Sequence, residues 1–305
     1  MRNAFSEAIV RLATRDPRVL LLTGDHGYAL FDEFRKRCPG QYINAGIAEQ
    51  NMVGMAAGLA RGGFRPIVYG LSAFIPIRVL EQIKLDVAHD DLPVIFIGDG
   101  AGFVYSHLGT SHQSTEDIAC ARVVPNLAVC SPADRFEMTM CIEAAYERSS
   151  AVYLRIGKSD RGDVHSKEPQ ARPGELLRVR GGVEGGLALV ATGSMVRAAI
   201  DVAEEFLPEA SVWSVPWIKP TETKQIVAIC DDSRGVAVLK EHSVFGGLGS
   251  MVAEIAAESA ATRVLRIGVA DRFSEHCGSY EYLLREHRLD HRSVAERLLA
   301  FTHAL

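Results

Sequence analysis

The chain has 305 residues, enough for about two domains, with a formal net charge of −5 at pH 7, 48% hydrophobic residues and 23% charged residues. That balance excludes long disorder and lacks the basic surplus a nucleic-acid binder needs. No apolar run approaches the roughly 18 residues of a membrane-spanning helix.

Glu7, Arg11, Arg15 and Asp16 interrupt the basic-then-apolar order of a signal peptide, so no targeting segment is expected. Residues 3–15 read as a helix with Ala4, Phe5, Ala8, Ile9 and Leu12 near one face. Val19–Thr23 reads as a strand, and a longer helix starts near Ala48, runs through Met52, Met55, Ala56 and Leu59, and is stopped by Gly62-Gly63. Pro66–Tyr69 is a short strand, residues 75–88 a helix, and Pro93–Ile97 a strand ending in Gly98-Asp99-Gly100. Residues 114–122 read as helix, Leu127–Cys130 as strand, 133–148 as helix and Val152–Arg155 as strand. Such alternation, with continuously apolar strands, predicts a mostly parallel sheet covered on both faces.

Glycine, proline and charge accumulate over 158–186, which reads as a linker carrying one hairpin. The pattern then restarts: strand Leu187–Thr192, helix 195–206, strand 211–215, helix 222–230, strand Gly235–Lys240, helix 247–259, strand Val264–Ile267 and a final helix 293–302. The expected organisation is two doubly wound α/β domains, 1–160 and the smaller 187–305, joined by a linker over 161–186. Six cysteines, at 38, 120, 130, 141, 230 and 277, form no CxxC and fit the reduced thiols of a cytoplasmic protein.

Taken one at a time, the candidate site residues have structural readings. Glu49, in Asn44-Ala45-Gly46-Ile47-Ala48-Glu49-Gln50-Asn51, is an acid in a helix's first turn, favoured by the macrodipole. Phe74 reads as core, His112 as a satisfied histidine and Arg2 as a terminal charge. Asp99 and Asn126 offer hard oxygen ligands, but Asn126 precedes its strand and would sit at the opposite sheet edge, so no metal ligand is expected here.

The run Ile47-Ala48-Glu49-Gln50-Asn51-Met52-Val53-Gly54-Met55-Ala56-Ala57-Gly58-Leu59-Ala60 resembles the pyrimidine-binding domain of transketolases and 1-deoxyxylulose-5-phosphate synthases. Gly109-Thr110-Ser111-His112-Gln113 resembles the same domain, and Lys240-Glu241-His242 with Gly246-Gly247-Leu248-Gly249 resembles the family's C-terminal domain. The resemblance covers nearly the whole chain and implies the C-terminal half of a split transketolase.

By this resemblance Glu49 is catalytic: its carboxyl shares a proton with the pyrimidine nitrogen of thiamine diphosphate, and the cofactor supplies the electron sink. Phe74 is implied to stack on the aminopyrimidine, with Leu71 and Ile77 as apolar walls and Asp25 and Ile47 beside the cofactor. Arg2, His112 and Lys158 fall at substrate-binding positions; Lys158 replaces an arginine and loses its bidentate fork. Three other positions lose their polar group, namely Ala29, Gly100 and Leu108. His107, with His26, Tyr28 and Tyr105, supplies new polar and aromatic groups, which implies an altered substrate.

The implied partner is a separate subunit that holds the diphosphate and Mg²⁺, in an α₂β₂ heterotetramer acting on a sugar or sugar phosphate. The reaction that the resemblance implies is transfer of a two-carbon ketol unit from a ketose to an aldose. Two alternatives stay open: the β chain of a 2-oxo acid dehydrogenase E1 component, and a non-catalytic scaffold.

Overall fold

The computed structural model describes residues 1–158 and 160–305. Helix α1 (Arg2–Arg15) leads into β1 (Val19–Thr23), followed by α2 (Asp32–Arg37) and β2 (Tyr42–Asn44). Next come α3 (Glu49–Arg61), β3 (Arg65–Leu71), α4 (Leu80–Gln82), β4 (Ile95–Asp99), α5 (Asp117–Arg122), β5 (Ala128–Cys130), α6 (Arg135–Glu147) and β6 (Val152–Ile156). The second unit holds β7 (Leu177–Arg180), β8 (Leu187–Ala191), α7 (Met195–Phe206), β9 (Ser211–Ser214), β10 (Trp217–Lys219), α8 (Thr223–Asp231), β11 (Gly235–Ser243), α9 (Leu248–Ser259), β12 (Val264–Val269), α10 (Tyr280–Glu286) and α11 (His291–His303).

Two sheets result. The seven-stranded one has the order β10-β5-β6-β4-β3-β1-β2, and the five-stranded one β12-β11-β8-β9-β7. All neighbours are parallel except β10 on β5 and β7 on β9. Every residue of β1, β4, β6 and β8 is buried, as expected for parallel strands with helices on both faces. One apolar cluster runs from Leu20, Val68 and Phe96 in the first unit to Val190, Val238 and Leu248 in the second, so the units share a core.

Several features depart from the sequence reading. The helix expected over 75–88 is broken into a 3₁₀ turn Ile77–Val79, the single turn α4 and a π-helical turn Ile83–Ala88. Pro76 offers no N–H to a helical ladder, so the regular helix cannot start where the apolar period begins. The helix expected over 114–122 begins only at Asp117, because Ser114 bridges to Gly102 instead. Among its described residues the linker forms no hairpin: β7 pairs with β9, beyond β8 in the chain. Finally, β10 leaves its own unit and adds to the first sheet, where Trp217 lies opposite Cys130 and is fully buried.

Candidate active site

The loops after β1, β3, β4 and β6 open at one edge of the first sheet, the carboxyl edge at which parallel α/β sheets place their sites. Glu49 is the first residue of α3, whose N-cap Ala48 has no capping side chain. The acid therefore stands at the uncapped N-terminus of the helix, a favourable place for negative charge. It is only 6% exposed.

After β3 the chain turns tightly: the amides of Phe74 and Ile75 both donate to Leu71 O at 2.8 Å, and the Arg78 amide donates to Phe74 O at 2.9 Å. That turn sets Arg78 four residues beyond Phe74 on one face. The Arg78 guanidinium carbon lies 3.8 Å from the Phe74 ring centroid, and Nη1 donates to Glu49 Oε1 at 2.9 Å. The His112 ring meets Phe74 edge-on at 5.5 Å between centroids. Glu49, Phe74 and His112 are thus one constellation, with Arg78 as a member that the sequence reading did not contain.

Ile47 stands on the loop before α3 and is 80% exposed. Asp25 follows β1 with a positive φ of 60°. Its Oδ1 accepts from the Tyr28 hydroxyl at 2.8 Å and from Asn44 Nδ2 at 3.4 Å. These hydrogen bonds, the tyrosine's first, draw its carboxyl below the usual carboxylate range.

A second cluster surrounds Asp99, the last residue of β4. Asp99 Oδ2 accepts from Tyr69 at 2.7 Å and from Tyr105 at 3.1 Å, and Arg2 Nε lies 3.4 Å away. Burial, then the Asp99 charge, raises both phenols: Tyr69 well above its ordinary value and Tyr105 up to about 12. Gly100 has φ +79°, and a Cβ there would lie 1.9 Å from Tyr105 Cε2. The Tyr105 ring therefore fills the space a side chain at position 100 needs. Arg2 also lines a cavity of about 830 Å³ with Glu7, Tyr28, Ala29 and Arg135.

Lys158 turns elsewhere. Its Nζ lies 2.9 Å from Asp160 Oδ2 and 5.3 Å from the Tyr280 ring centroid, and it lines a different cavity of about 520 Å³. His107 is exposed on the 3₁₀ turn Ser106–Leu108. His26 places Nδ1 2.8 Å from Gly24 O, with its ring against Tyr69.

Asp99 and Asn126 do not converge. Asn126 precedes β5 and donates Nδ2 to Ala88 O at 3.1 Å, whereas Asp99 closes parallel strand β4 at its far end. Lys240, Glu241 and His242 lie at the junction of the two units. Glu241 accepts from Phe103 N and Ser194 Oγ, and its backbone oxygen accepts from Arg155 Nη2 at 2.8 Å. Gly102 has no room for a Cβ, which would lie 2.2 Å from Glu241 Oε1. Burial, with Arg266, Arg155 and Arg122 nearby, lowers the Lys240 ammonium to about 7.

The family model "Transketolase, pyrimidine binding domain" matches residues 1–162, and "Transketolase, C-terminal domain" matches 177–294. The chain is 34% identical over 272 residues to one of the subunits of the apulose-4-phosphate transketolase of Actinobacillus succinogenes, covering 88% of this chain and 86% of that protein. It is 34% identical to "1-deoxy-D-xylulose-5-phosphate synthase" of Chlorobium luteolum over 98% of this chain and 48% of that one. A solved structure titled "Split gene transketolase, inactive beta4 tetramer" superposes with a TM-score of 0.86 at 32% identity, covering 97% of this chain and 95% of its own.

Proposed function

The chain belongs to the transketolase family, and on that premise we propose that it supplies the pyrimidine half of a shared thiamine diphosphate site. A separate subunit supplies the diphosphate half, and the complex transfers a two-carbon ketol unit from a ketose to an aldose. The observation that carries this reading is the Arg78 guanidinium, a planar N–H donor that lies on the Phe74 face and bonds Glu49. An aminopyrimidine, also planar and carrying N–H groups, asks for the same pair of contacts, so the residues present fit that end of the cofactor.

When bound, the cofactor provides the electron sink that stabilises charge left on the ketol fragment. The chain's residues do the rest. Glu49 holds a proton at its carboxyl against the ring nitrogen, in a buried position where that hydrogen bond is strengthened. Phe74 fixes the plane of the ring, with Leu71 and Ile77 beside it as apolar wall and Ile47 and Asp25 at the rim. His112, edge-on to Phe74, presents an imidazole to the substrate.

Asp99 is engaged by two tyrosines and an arginine, so this reading assigns the Mg²⁺ ligands to the partner. The partner itself is supported by large side chains left in solvent near the sheet edge, the apolar Ile47 at 80% and the aromatic Tyr28 at 59% exposure. The solved relative titled an inactive β4 tetramer supports the same idea. We propose an α₂β₂ assembly, the smallest symmetric form in which each β chain meets an α chain. All six cysteines are free thiols, which fits the cytoplasm.

Glu49→Gln in the reconstituted complex tests the reading. Steady-state ketol transfer is expected to fall about 100-fold or more while the two chains still associate. Unchanged turnover would remove Glu49 from catalysis.

A further inference from the structure

We infer that the end of the substrate that reaches Arg2 is an uncharged hydroxyl group rather than a phosphate, and that Tyr105 and Arg2 read it together. This rests on the ketol-transfer reading above and concerns which sugars the same site takes.

The chemistry of the Asp99 cluster carries the inference. Asp99 is 2% exposed, and its Oδ2 receives the protons of both Tyr69 and Tyr105. With its proton committed, the Tyr105 oxygen has only lone pairs to offer a ligand, so it is an acceptor. Arg2 Nε faces the same carboxylate, leaving the terminal N–H groups of its half-exposed guanidinium as donors. A sugar hydroxyl can donate to Tyr105 and accept from Arg2 at once. A phosphate can only accept, and it would bring about two negative charges toward a buried carboxylate.

The surrounding charges agree. Of the other cations lining the cavity, Arg135 has its Nε 2.9 Å from Asp163 Oδ2, and the Met1 ammonium is lowered by burial, with the charges of Asp163 and Asp134 acting against that shift. Glu7 adds a carboxylate and Ala29 adds no donor. Lys158, which could have added positive charge, pairs with Asp160 beside a different cavity. Each arginine of the cavity thus has a carboxylate partner within 3.4 Å. At position 100 the backbone sits at positive φ under the Tyr105 ring, so a donor side chain cannot return there while Tyr105 stays.

The test uses the complex of this chain with its diphosphate-binding partner, hydroxypyruvate as two-carbon donor, and the matched acceptors D-ribose and D-ribose 5-phosphate. The expected kcat/KM is at least as high for D-ribose. Tyr105→Phe keeps the ring over Gly100 and removes only the hydroxyl. It is expected to raise KM for D-ribose about tenfold, the size of one lost hydrogen bond, and to move KM for the phosphorylated acceptor less than twofold. A preference of tenfold or more for D-ribose 5-phosphate in the unaltered complex overturns the inference and leaves the ketol-transfer reading standing. Equal KM changes for both acceptors in Tyr105→Phe also overturn it. Absence of ketol transfer to either acceptor overturns the parent reading, and the inference with it.

Discussion

Arg78 contacts both Glu49 and Phe74, the two groups to which the proposed function assigns the aminopyrimidine. Its side chain is 45% exposed, against 7% for Glu49. A half-solvated pair of this kind contributes only about 0.2–1 kcal/mol, so a ligand can displace it at small cost. Arg78→Ala is therefore expected to leave the fold within about 1 kcal/mol of its present stability. It should also speed cofactor association with the complex by up to about fivefold, measured by stopped-flow fluorescence quenching. Slower association or weaker binding would make Arg78 a holder of the cofactor instead. The motif residues around Glu49 and His112 were legible because they lie in contiguous runs. Arg78 was not, because the segment after Phe74 read as one continuous helix, which hides the turn that folds it back. Nor could sequence show that Lys158 turns to Asp160 and Tyr280, since that orientation is set by partners 2 and 122 residues away.

Among the elements, α6 shows how one side chain can tie a helix to a distant segment. Asp134 Oδ1 accepts from the amides of Phe136 and Glu137, and Oδ2 from those of Val164 and His165, all at 2.9 Å. Capping alone is worth about 1 kcal/mol, and hydrogen bonds to a charged group about 1.5–3 kcal/mol. Asp134→Ala is expected to lower stability by about 2–4 kcal/mol in urea unfolding; a change below about 0.5 kcal/mol would contradict the double role. The βα alternation was readable because parallel strands such as β1 and β8 are buried on both faces and so are continuously apolar. Elements of a few residues were not: α2, β2 and α10 are too short to show a period, and β10 is defined by its pairing with β5 in the other unit. Register across a domain boundary leaves no trace in local periodicity.

For the molecule as a whole, the two units meet through buried polar contacts beside a shared apolar core. His242 Nε2 accepts from Ala119 N at 3.2 Å, and Nδ1 lies 2.9 Å from Ser243 O. Burial chiefly, with Lys240 and Arg155 adding positive charge, lowers this imidazole to about 4. A proton on Nε2 would face the amide it now accepts from. Between the ordinary value of 6.5 and about 4, the unfolded chain takes up a proton that the folded one does not. Stability is therefore present above pH 6.5 and is lost as pH falls through that window, by about 3 kcal/mol for this group. Thermal unfolding of the native chain and His242→Gln, compared at pH 7 and pH 4.5, should show the native chain losing about 2–3 kcal/mol more than the variant. Equal losses would place the acid sensitivity elsewhere.

A cofactor site divided between two chains makes the sharpest demand. Calorimetric titration of thiamine diphosphate with Mg²⁺ into this chain alone, and into its mixture with a diphosphate-binding partner, tests it most directly. Saturable binding in the mixture only, at one cofactor per pair of chains, is the expected result. Stoichiometric binding to this chain alone, or no binding in a mixture whose chains demonstrably associate, would contradict a shared site.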